Sequence, residues 1–331
     1  MNKSDKILVA GVSGMVGSAI IRNLVKKGFN NLVGTYHSSI LEEQKNMPVR
    51  HLKADLTNQA TVKELFETQR PAHVFLAAAR VGGIHANNTY PAQFIHDNLA
   101  IQTNIIHSAY VHKVERLLFL GSSCIYPKNT PQPMKEEHLL TGILEPTNEP
   151  YAVAKIAGIK MCEAYNRQYG TRFMAVMPTN LYGPNDNFDL DTSHVLPALI
   201  RKFHQAKQDN APTVTIWGTG SPMREFLHVD DMADASVFIM SLPDSTADRH
   251  LASYPSPCFV NVGTGTDCTI KELALTIKRA VGFKGDLVFN SSKPDGISRK
   301  LLDVSRLEKL GWSASIPLDQ GIRSTYDWFM K

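Results

Sequence analysis

The residues of this chain best suited to chemistry are a tyrosine and a lysine four positions apart, Tyr151 and Lys155. The stretch around them reads as a helix, where positions i and i+4 share one face, so both side chains can enter one cleft. A free phenol has a pKa of about 10, and a nearby ammonium lowers it by favouring the phenolate. Ser122, which follows an apolar run, can hold a carbonyl or hydroxyl beside the phenol. This group predicts proton transfer to or from a carbinol oxygen, which hydride transfer requires.

The amino terminus has the pattern of a nucleotide site. Residues 6–10 predict a buried strand, residues 18–27 predict an amphipathic helix, and three glycines spaced Gly-x-x-Gly-x-x-Gly lie between them. Glycines there permit a tight turn and close approach to a pyrophosphate, which rests on the helix N-terminus. A glycine-rich turn without a ligand is the alternative. The predicted cofactor contacts in this motif are Gly11, Ser13, Gly14, Met15, Val16 and Gly17.

The end of the second predicted strand, residues 31–36, bears on which dinucleotide binds. NAD sites usually place an acidic residue there for the ribose 2′-hydroxyl. Here His37 and Ser38 follow the strand without a carboxylate, which favours NADP. Asp55 and Leu56 follow a predicted strand at residues 49–54 and are expected to contact the adenine; a helix N-cap region is the equal alternative.

Composition sets the class of protein. The 331 residues are 43% hydrophobic and 20% charged, with a formal net charge of +4, as in ordinary globular proteins. No basic stripe supports nucleic-acid binding, and no apolar run approaches the roughly 18 residues that span a bilayer. The first strand begins almost at once, so we expect no signal peptide. The four cysteines form no Cys-x-x-Cys pair, and we expect a cytoplasmic protein without a metal site.

Strand and helix patterns alternate through the first half of the chain. Predicted helices at residues 59–69, 91–113 and 150–169 separate predicted strands at residues 73–77, 116–120 and 172–177. Such units predict an α/β fold, a doubly wound parallel sheet of the Rossmann type. Ligands bind beyond the carboxyl ends of such strands. Gly11, Ala77, Ser122, Cys124 and Thr179 fall at those ends.

Beyond residue 178 the pattern changes. Residues 181–187 read as a loop, 194–208 as a helix, and 213–217, 224–229 and 259–262 as strands, with a helix starting at residue 230. Two or three helices and a short strand follow residue 268. We expect a smaller, interleaved α+β lobe that binds substrate. The predicted boundaries are 1–177 and about 225–265 for the dinucleotide domain, and about 178–224 and 266–331 for the lobe.

These motifs together resemble the extended short-chain dehydrogenases/reductases. Longer stretches at residues 121–128, 145–160, 177–184, 222–231 and 293–296 resemble the GDP-L-fucose synthase family, NADP-dependent 3,5-epimerases/4-reductases of GDP-4-keto-6-deoxymannose. Residues 34–50 depart from the family forms. Ser13 and residues 37–39 stand where some members carry arginines that bind the NADP phosphate.

The resemblance implies roles for the reacting residues. Cys124 and His194 would exchange protons at C3 and C5, Tyr151 would protonate the C4 oxygen, Lys155 would hold the nicotinamide ribose, and Ser122 would position the ketone. A thiol and an imidazole both exchange protons near neutrality. Taken alone, Cys124 reads as a small buried side chain and His194 as a helix-terminal residue without a task.

The resemblance also implies contacts at other strand ends and, for the nucleotide half of the substrate, in the second lobe. Arg224 suits a diphosphate because a guanidinium group makes paired hydrogen bonds to phosphate oxygens. Lys202 stands where some members carry arginine, and it retains the positive charge but not the paired hydrogen bonds. Trp217 reads equally as a core residue, and Asp295, expected to bind the guanosine ribose, as a turn residue. The predicted cofactor contacts are Tyr151, Lys155, His194, Ala77, Ala78, Ala79, Pro178, Asn180 and Leu181, and the predicted substrate contacts are Ser122, Ser123, Cys124, Asn180, Lys202, Trp217, Arg224 and Asp295.

Alternatives remain at this point. The chain could act on another GDP-keto-sugar such as a heptose, as an epimerase/reductase or as a simple 4-reductase. A non-catalytic dinucleotide-binding regulator is the distant alternative. The resemblance also implies a homodimer in which the helices at residues 91–113 and 150–169 pair across a two-fold axis.

Overall fold

The computed structural model describes residues 1–190, 192–292 and 295–331, with the backbone alone at 84 and 85. Lys293 and Pro294, part of the stretch 293–296, therefore lie outside the described residues. The strands are β1 Ile7–Ala10, β2 Leu32–Tyr36, β3 Val49–Lys53, β4 His73–Leu76, β5 Arg116–Leu120, β6 Phe173–Pro178, β7 Asn180–Tyr182, β8 Thr213–Trp217, β9 Met223–Arg224, β10 Phe226–His228, β11 Phe259–Val262, β12 Cys268–Thr269, β13 Asp286–Asn290 and β14 Arg299–Lys300.

Helices follow most of these strands. They are α1 Met15–Lys26, α2 Gln59–Gln69, α3 Ile84–Thr89, α4 Pro91–Val111, α5 Glu149–Tyr169, α6 Val195–Gln208, α7 Val229–Ser241, α8 Asp244–Ala247, α9 Ile270–Val281, α10 Ser305–Lys309 and α11 Leu318–Phe329. Among these described helices, none combines the length and the apolar character needed to cross a bilayer.

A seven-stranded parallel sheet forms the centre of the molecule, in the order β11-β6-β5-β4-β1-β2-β3. Strand β1 is an unbroken apolar run because both of its faces are covered, and all four of its residues are inaccessible to solvent. One hydrophobic cluster packs α1 and α7 on one face, and a second packs α2, α4 and α5 on the other. The predicted α/β class with a doubly wound sheet is confirmed.

A third cluster lies in the second half of the chain. It joins α6, α9 and α11 around the parallel pair β8 and β13, and its buried side chains include Phe203, Ile277 and Ile322. Leu307 and Trp312, by contrast, pack in the cluster that covers the large sheet. The division of the chain into two lobes at the stated boundaries stays a prediction.

Several local predictions need correction. Leu181 and Tyr182, expected in a loop, form β7, which pairs in parallel with β10. The expected strand at residues 224–229 is divided into β9 and β10 at Glu225, whose side chain turns into the interior. Pro150 is the second residue of α5, because Glu149 begins the helix. These segments are short, so pairing with distant residues decides their structure more than local pattern does.

Candidate active site

The ends of β5 and the start of α5 carry the predicted catalytic group. Ser122 is the residue before the short 3₁₀-helix Ser123–Ile125, and its Oγ accepts a hydrogen bond from the Cys124 N–H at 3.5 Å. Ser123 and Cys124 are buried, each 8% exposed. Tyr151 stands in the first turn of α5, and its ring meets that of Phe94 edge-on, with the ring centres 6.1 Å apart and an interplanar angle of 86°. The structure therefore places Ser122, Cys124 and Tyr151 together.

The Tyr151 phenol differs from the expectation of a lowered pKa. Burial raises its pKa above the usual value, the nearby Cys124 sulfur raises it further, and a hydrogen bond with the Ser122 side chain opposes both. Desolvation of the phenolate on burial is the largest influence on this pKa, and the sequence could not reveal it. At neutral pH the phenol keeps its proton and is suited to act as an acid.

Lys155 is held beneath the tyrosine. The residue is 3% exposed, and its ammonium donates to the main-chain oxygen of Leu120 at 2.8 Å and lies 5.6 Å from the Tyr151 ring centre. Burial lowers the pKa of Lys155 to about 8, and the Cys124 sulfur acts in the opposite direction. Its contacts with the ribose stay a prediction.

Lys300 joins Cys124 and His194, and the sequence analysis missed it. Burial raises the pKa of the Cys124 thiol, and the strongest opposing influence is the positive charge of Lys300. His194 is the N-cap residue of α6, open to the cleft, and its pKa is lowered first by desolvation from the surrounding protein and then by Lys300. Lys300 lies in β14, opposite Arg224 in β9, so only the folded chain reveals its place.

The glycine motif forms a cradle at the end of β1. Gly11 has φ +90°, and a β-carbon there would lie 2.7 Å from Ala78, so this loop and the end of β4 touch. Gly14 caps α1 without a side-chain hydrogen bond, and α1, described in full, has no acidic residue in its first turn. Free N–H groups at the start of a 12-residue helix fit a pyrophosphate. These residues fit the dinucleotide.

A buried glutamine that the predictions did not include lies near the end of β2, where His37 and Ser38 are predicted to contact the cofactor. His37 and Ser38 are exposed at the end of β2, their Nδ1 and Oγ 3.1 Å apart. Gln44, wholly buried, donates its amide to the main-chain oxygen of Val12 at 2.8 Å. The segment between β2 and β3 is thereby tied to the glycine loop.

Asp55 does not cap the following helix. Its Oδ1 accepts from the N–H and the hydroxyl of Thr57, at 2.9 and 2.7 Å, while Asn58 is the N-cap of α2 and accepts from Thr61. Leu56 is buried beside it, 6% exposed. An adenine contact at Asp55 or Leu56 stays a prediction.

The remaining predicted cofactor residues follow the ends of β4 and β6. The main-chain N–H of Ala77 donates to Ala10 at 3.0 Å, which continues the sheet, and Ala78 and Ala79 are half-buried beside it. Pro178 ends β6, and Leu181 lies in β7. The amide of Asn180 donates to the main-chain oxygen of Glu225 at 2.8 Å. The carboxyl ends of neighbouring strands thus meet at one mouth, as the fold predicts.

Two predicted substrate residues of the second half, Lys202 and Trp217, lie together. Trp217, at the end of β8, is 63% exposed, and the Lys202 ammonium lies 5.2 Å from its ring centre. This exposure contradicts the alternative of a core tryptophan. Asp295 accepts from the N–H and hydroxyl of Thr219 at 2.7 and 2.8 Å, which fixes the turn after Trp217. Arg224 is half-buried, and desolvation lowers its pKa.

Comparison with known proteins places the chain in a family. The NAD dependent epimerase/dehydratase family matches residues 7–253. The putative GDP-L-fucose synthase 2 of Arabidopsis thaliana is 56% identical over 331 residues, which cover 100% of this chain and 93% of that protein. The GDP-L-fucose synthase of Escherichia coli strain K12 is 54% identical, covering 99% of this chain and 97% of that protein.

A solved structure is also similar over the full length. The GDP-mannoheptose C4 reductase from Campylobacter jejuni, with NADP bound, is 40% identical, has a TM-score of 0.86, and covers 100% of both chains. The fold, the arrangement of the site and this level of identity agree. The chain belongs to the NAD dependent epimerase/dehydratase family and, within it, to the GDP-L-fucose synthases.

Proposed function

We propose that the chain converts GDP-4-keto-6-deoxy-D-mannose to GDP-L-fucose, by epimerisation at C3 and C5 followed by NADPH-dependent reduction at C4. The observation that carries the proposal is the position of Cys124, whose sulfur lies close enough to influence the pKa of Tyr151 and to be influenced by the charge of Lys300. Lys300 also faces His194. In this proposal Cys124 and His194 exchange protons with carbon and Tyr151 acts as the acid. A simple reductase does not need the first two groups.

Epimerisation requires a base and an acid on opposite faces of a carbon. The 4-ketone acidifies the hydrogens at C3 and C5, because each carbanion is an enolate. The Cys124 thiolate removes the proton from one face of the carbon, and His194 returns a proton to the opposite face. The positive charge of Lys300 opposes the burial that raises the pKa of the thiol, and so favours the thiolate.

Reduction at C4 uses the side chains of Tyr151, Ser122 and Lys155. Bound NADPH supplies hydride for C4. Tyr151, whose phenol stays protonated at neutral pH because of burial, donates its proton to the C4 oxygen, and Ser122 holds that oxygen in place. The positive charge of Lys155 then stabilises the Tyr151 phenolate that remains.

The nucleotide half of the substrate fits the second half of the chain. Arg224 and Lys202 supply positive charge for the diphosphate, and Trp217 offers an exposed ring for stacking. In this proposal Asp295, which holds the turn at Thr219, also accepts from the guanosine ribose.

The test is direct conversion. Purified protein is incubated with GDP-4-keto-6-deoxy-D-mannose and NADPH, and the product is identified by NMR. We expect GDP-L-fucose together with stoichiometric NADPH oxidation. Oxidation with retention of configuration at C3 and C5 would leave only a reductase.

A second candidate is the same chemistry on a GDP-keto-heptose. The similarity to a GDP-mannoheptose C4 reductase supports it. Competition between the two keto-sugars in one vessel, with kcat/KM taken from product ratios, separates the candidates.

We further propose that the protein acts as a homodimer in the cytoplasm. Support for the dimer comes from α4 and α5, where Tyr110 and Tyr169 stack with ring centres 4.2 Å apart and Val111 is 53% exposed. The cysteines at 124, 162, 258 and 268 are free thiols, which suits a reducing compartment. Light scattering during gel filtration tests the dimer.

A further inference from the structure

Glu225 is a wholly buried carboxylate directly beside Arg224. Its Oε1 accepts from the N–H groups of Thr264 and Gly265, at 2.7 and 2.8 Å, and its Oε2 accepts from the N–H of Leu302 at 3.0 Å. Among the described residues its partners are main-chain N–H groups and threonine hydroxyls, and no lysine or arginine pairs with it. Burying a carboxylate without a counter-charge is costly, so this residue needs an explanation.

The main chain of Glu225 connects to the cofactor side of the cleft. Its carbonyl oxygen accepts from the Asn180 amide at 2.8 Å and from the Thr179 hydroxyl at 3.2 Å. Asn180 begins β7, directly after the end of β6 in the large sheet. These bonds use the main-chain oxygen of Glu225 and not its carboxylate, so they remain available when the side chain is changed. The end of β6 is therefore a fixed reference for the segment around Glu225.

On its other side Glu225 holds the segment that carries Lys300. Its N–H donates to the main-chain oxygen of Lys300 at 3.3 Å, and its carboxylate binds Leu302 two residues later. Strand register sets Lys300 opposite Arg224. Arg224, which precedes Glu225, and Lys300, whose main-chain oxygen accepts from the Glu225 N–H, are thus both attached to this one buried residue.

The fit around this carboxylate leaves little freedom. A β-carbon at Gly263 would lie 2.2 Å from Oε1, so the carboxylate packs directly against the main chain after β11. A glutamine of the same length would turn an amide NH₂ toward at least one N–H donor, because donors occupy both oxygens. Desolvation raises the pKa of Glu225, and the N–H bonds oppose that change.

We propose that Glu225 is a positioning residue that fixes Arg224 and Lys300 relative to Asn180, and thereby sets how far the keto-sugar reaches toward Cys124 when the diphosphate is bound. This inference rests on the proposed function. In this inference Glu225 controls substrate affinity although its side chain touches neither substrate nor cofactor.

The experiment compares Glu225→Gln with a matched control, Glu136→Gln. Glu136 is also buried, 4% exposed, and accepts a main-chain N–H, that of Asn261, at 2.9 Å, but it holds neither Arg224 nor Lys300. Thermal unfolding, NADPH affinity, GDP affinity by calorimetry and steady-state kinetics are measured for both. We expect both to unfold at a lower temperature. Only Glu225→Gln should raise the GDP Kd and the keto-sugar KM, by roughly tenfold or more, with unchanged NADPH affinity.

Three results would overturn the proposal: a folded Glu225→Gln protein with unchanged GDP Kd and KM, an equal loss of NADPH affinity, or the same KM increase in the control. If Glu225→Gln does not fold, Glu225→Asp is measured instead, and failure of both variants to fold would assign Glu225 to stability alone. A wild-type protein inactive on GDP-4-keto-6-deoxy-D-mannose would contradict the proposed function, whereas the GDP titration would still decide the role of Glu225.

Discussion

The ammonium of Lys155 donates to the main-chain oxygen of Leu120 at 2.8 Å, which ties the catalytic helix α5 to the end of strand β5. Leu120 is two residues before Ser122, and Lys155 is one helical turn after Tyr151. This hydrogen bond therefore fixes the position of the Tyr151 phenol relative to the Ser122 hydroxyl, to which the phenol is hydrogen-bonded. Because Tyr151 and Cys124 lie close together but have different proposed roles, variants at each residue test whether the two activities can be divided.

Tyr151→Phe removes the acid for the C4 oxygen and keeps the ring packed against Phe94. We expect NADPH oxidation to fall by about 10²–10⁴, the usual contribution of a general acid. Exchange of the C3 and C5 hydrogens with solvent deuterium, followed by NMR, should continue. Loss of exchange in parallel with reduction would show that the two activities share this residue.

Cys124→Ser replaces the thiol with a much weaker acid at nearly the same volume. Because Cys124 is buried beside Ser122, we expect little change in fold or in NADPH affinity. Formation of the inverted sugar should stop, as judged by NMR of the product. An inverted product formed at the wild-type rate would refute the role of this sulfur.

Lys300→Met tests the cation next to the thiol. Its charge opposes the rise in the pKa of Cys124 caused by burial, so its removal should raise that pKa further. We expect C3 and C5 exchange to fall at neutral pH and to recover as the pH rises, moving the pH profile of exchange upward. Lys202→Met, a cation placed over Trp217, is the control and should leave the profile in place. A profile that does not move would separate Lys300 from the thiol.

Arg224→Ala should raise the KM for the GDP-keto-sugar because the diphosphate loses its guanidinium partner. NADPH affinity, measured by fluorescence titration, should stay at the wild-type value. The size expected is roughly 1.5–3 kcal/mol, or a factor of about 10 to 150, as for a hydrogen bond to a charged group. Equal losses for both ligands would point to general damage to the cleft.

Asp186 predicts a stability that depends on pH. Burial raises its pKa from 3.8 to about 7. Among the described residues Oδ2 has no hydrogen-bond partner, and the N–H of Asn187 binds Oδ1 at 2.7 Å. A raised carboxyl pKa in the folded state favours folding below the unfolded value of 3.8 and loses that contribution as pH rises through about 7.

Asp186→Asn cannot ionise and should therefore be more stable than wild type at pH values above 7, by up to about 4 kcal/mol, with the difference vanishing in acid. Thermal unfolding across that range measures it. The exposed Asp286→Asn serves as the control. A wild-type pH dependence that survives in Asp186→Asn would assign it to another group.

The large sheet and its helices could be predicted because each element carries its own signal. Strand β5 and helix α2 begin and end at the predicted residues, since both have clear period and sharp ends. Strands of two or three residues, such as β7 and β14, have too few residues for a period, and distant pairing creates them. Lys300 was missed for this reason.

The direction of the Tyr151 pKa could not be predicted for a different reason. Sequence reveals that a lysine is one turn away, but not that both groups are withdrawn from water. In the folded chain, burial exceeds the local attraction. Gln44 and Glu225 escaped notice similarly, because a polar side chain in a sequence gives no sign that it will be enclosed.

The exposed indole of Trp217 has a practical consequence. The chain has three tryptophans, and Trp217 is 63% exposed whereas Trp312 is 7% exposed. A purine that stacks on Trp217 would change the fluorescence emission of that indole, whereas the emission of the buried Trp312 would hardly change. Occupancy of the guanosine end should then be visible in the intrinsic fluorescence of the unlabelled enzyme, independently of turnover.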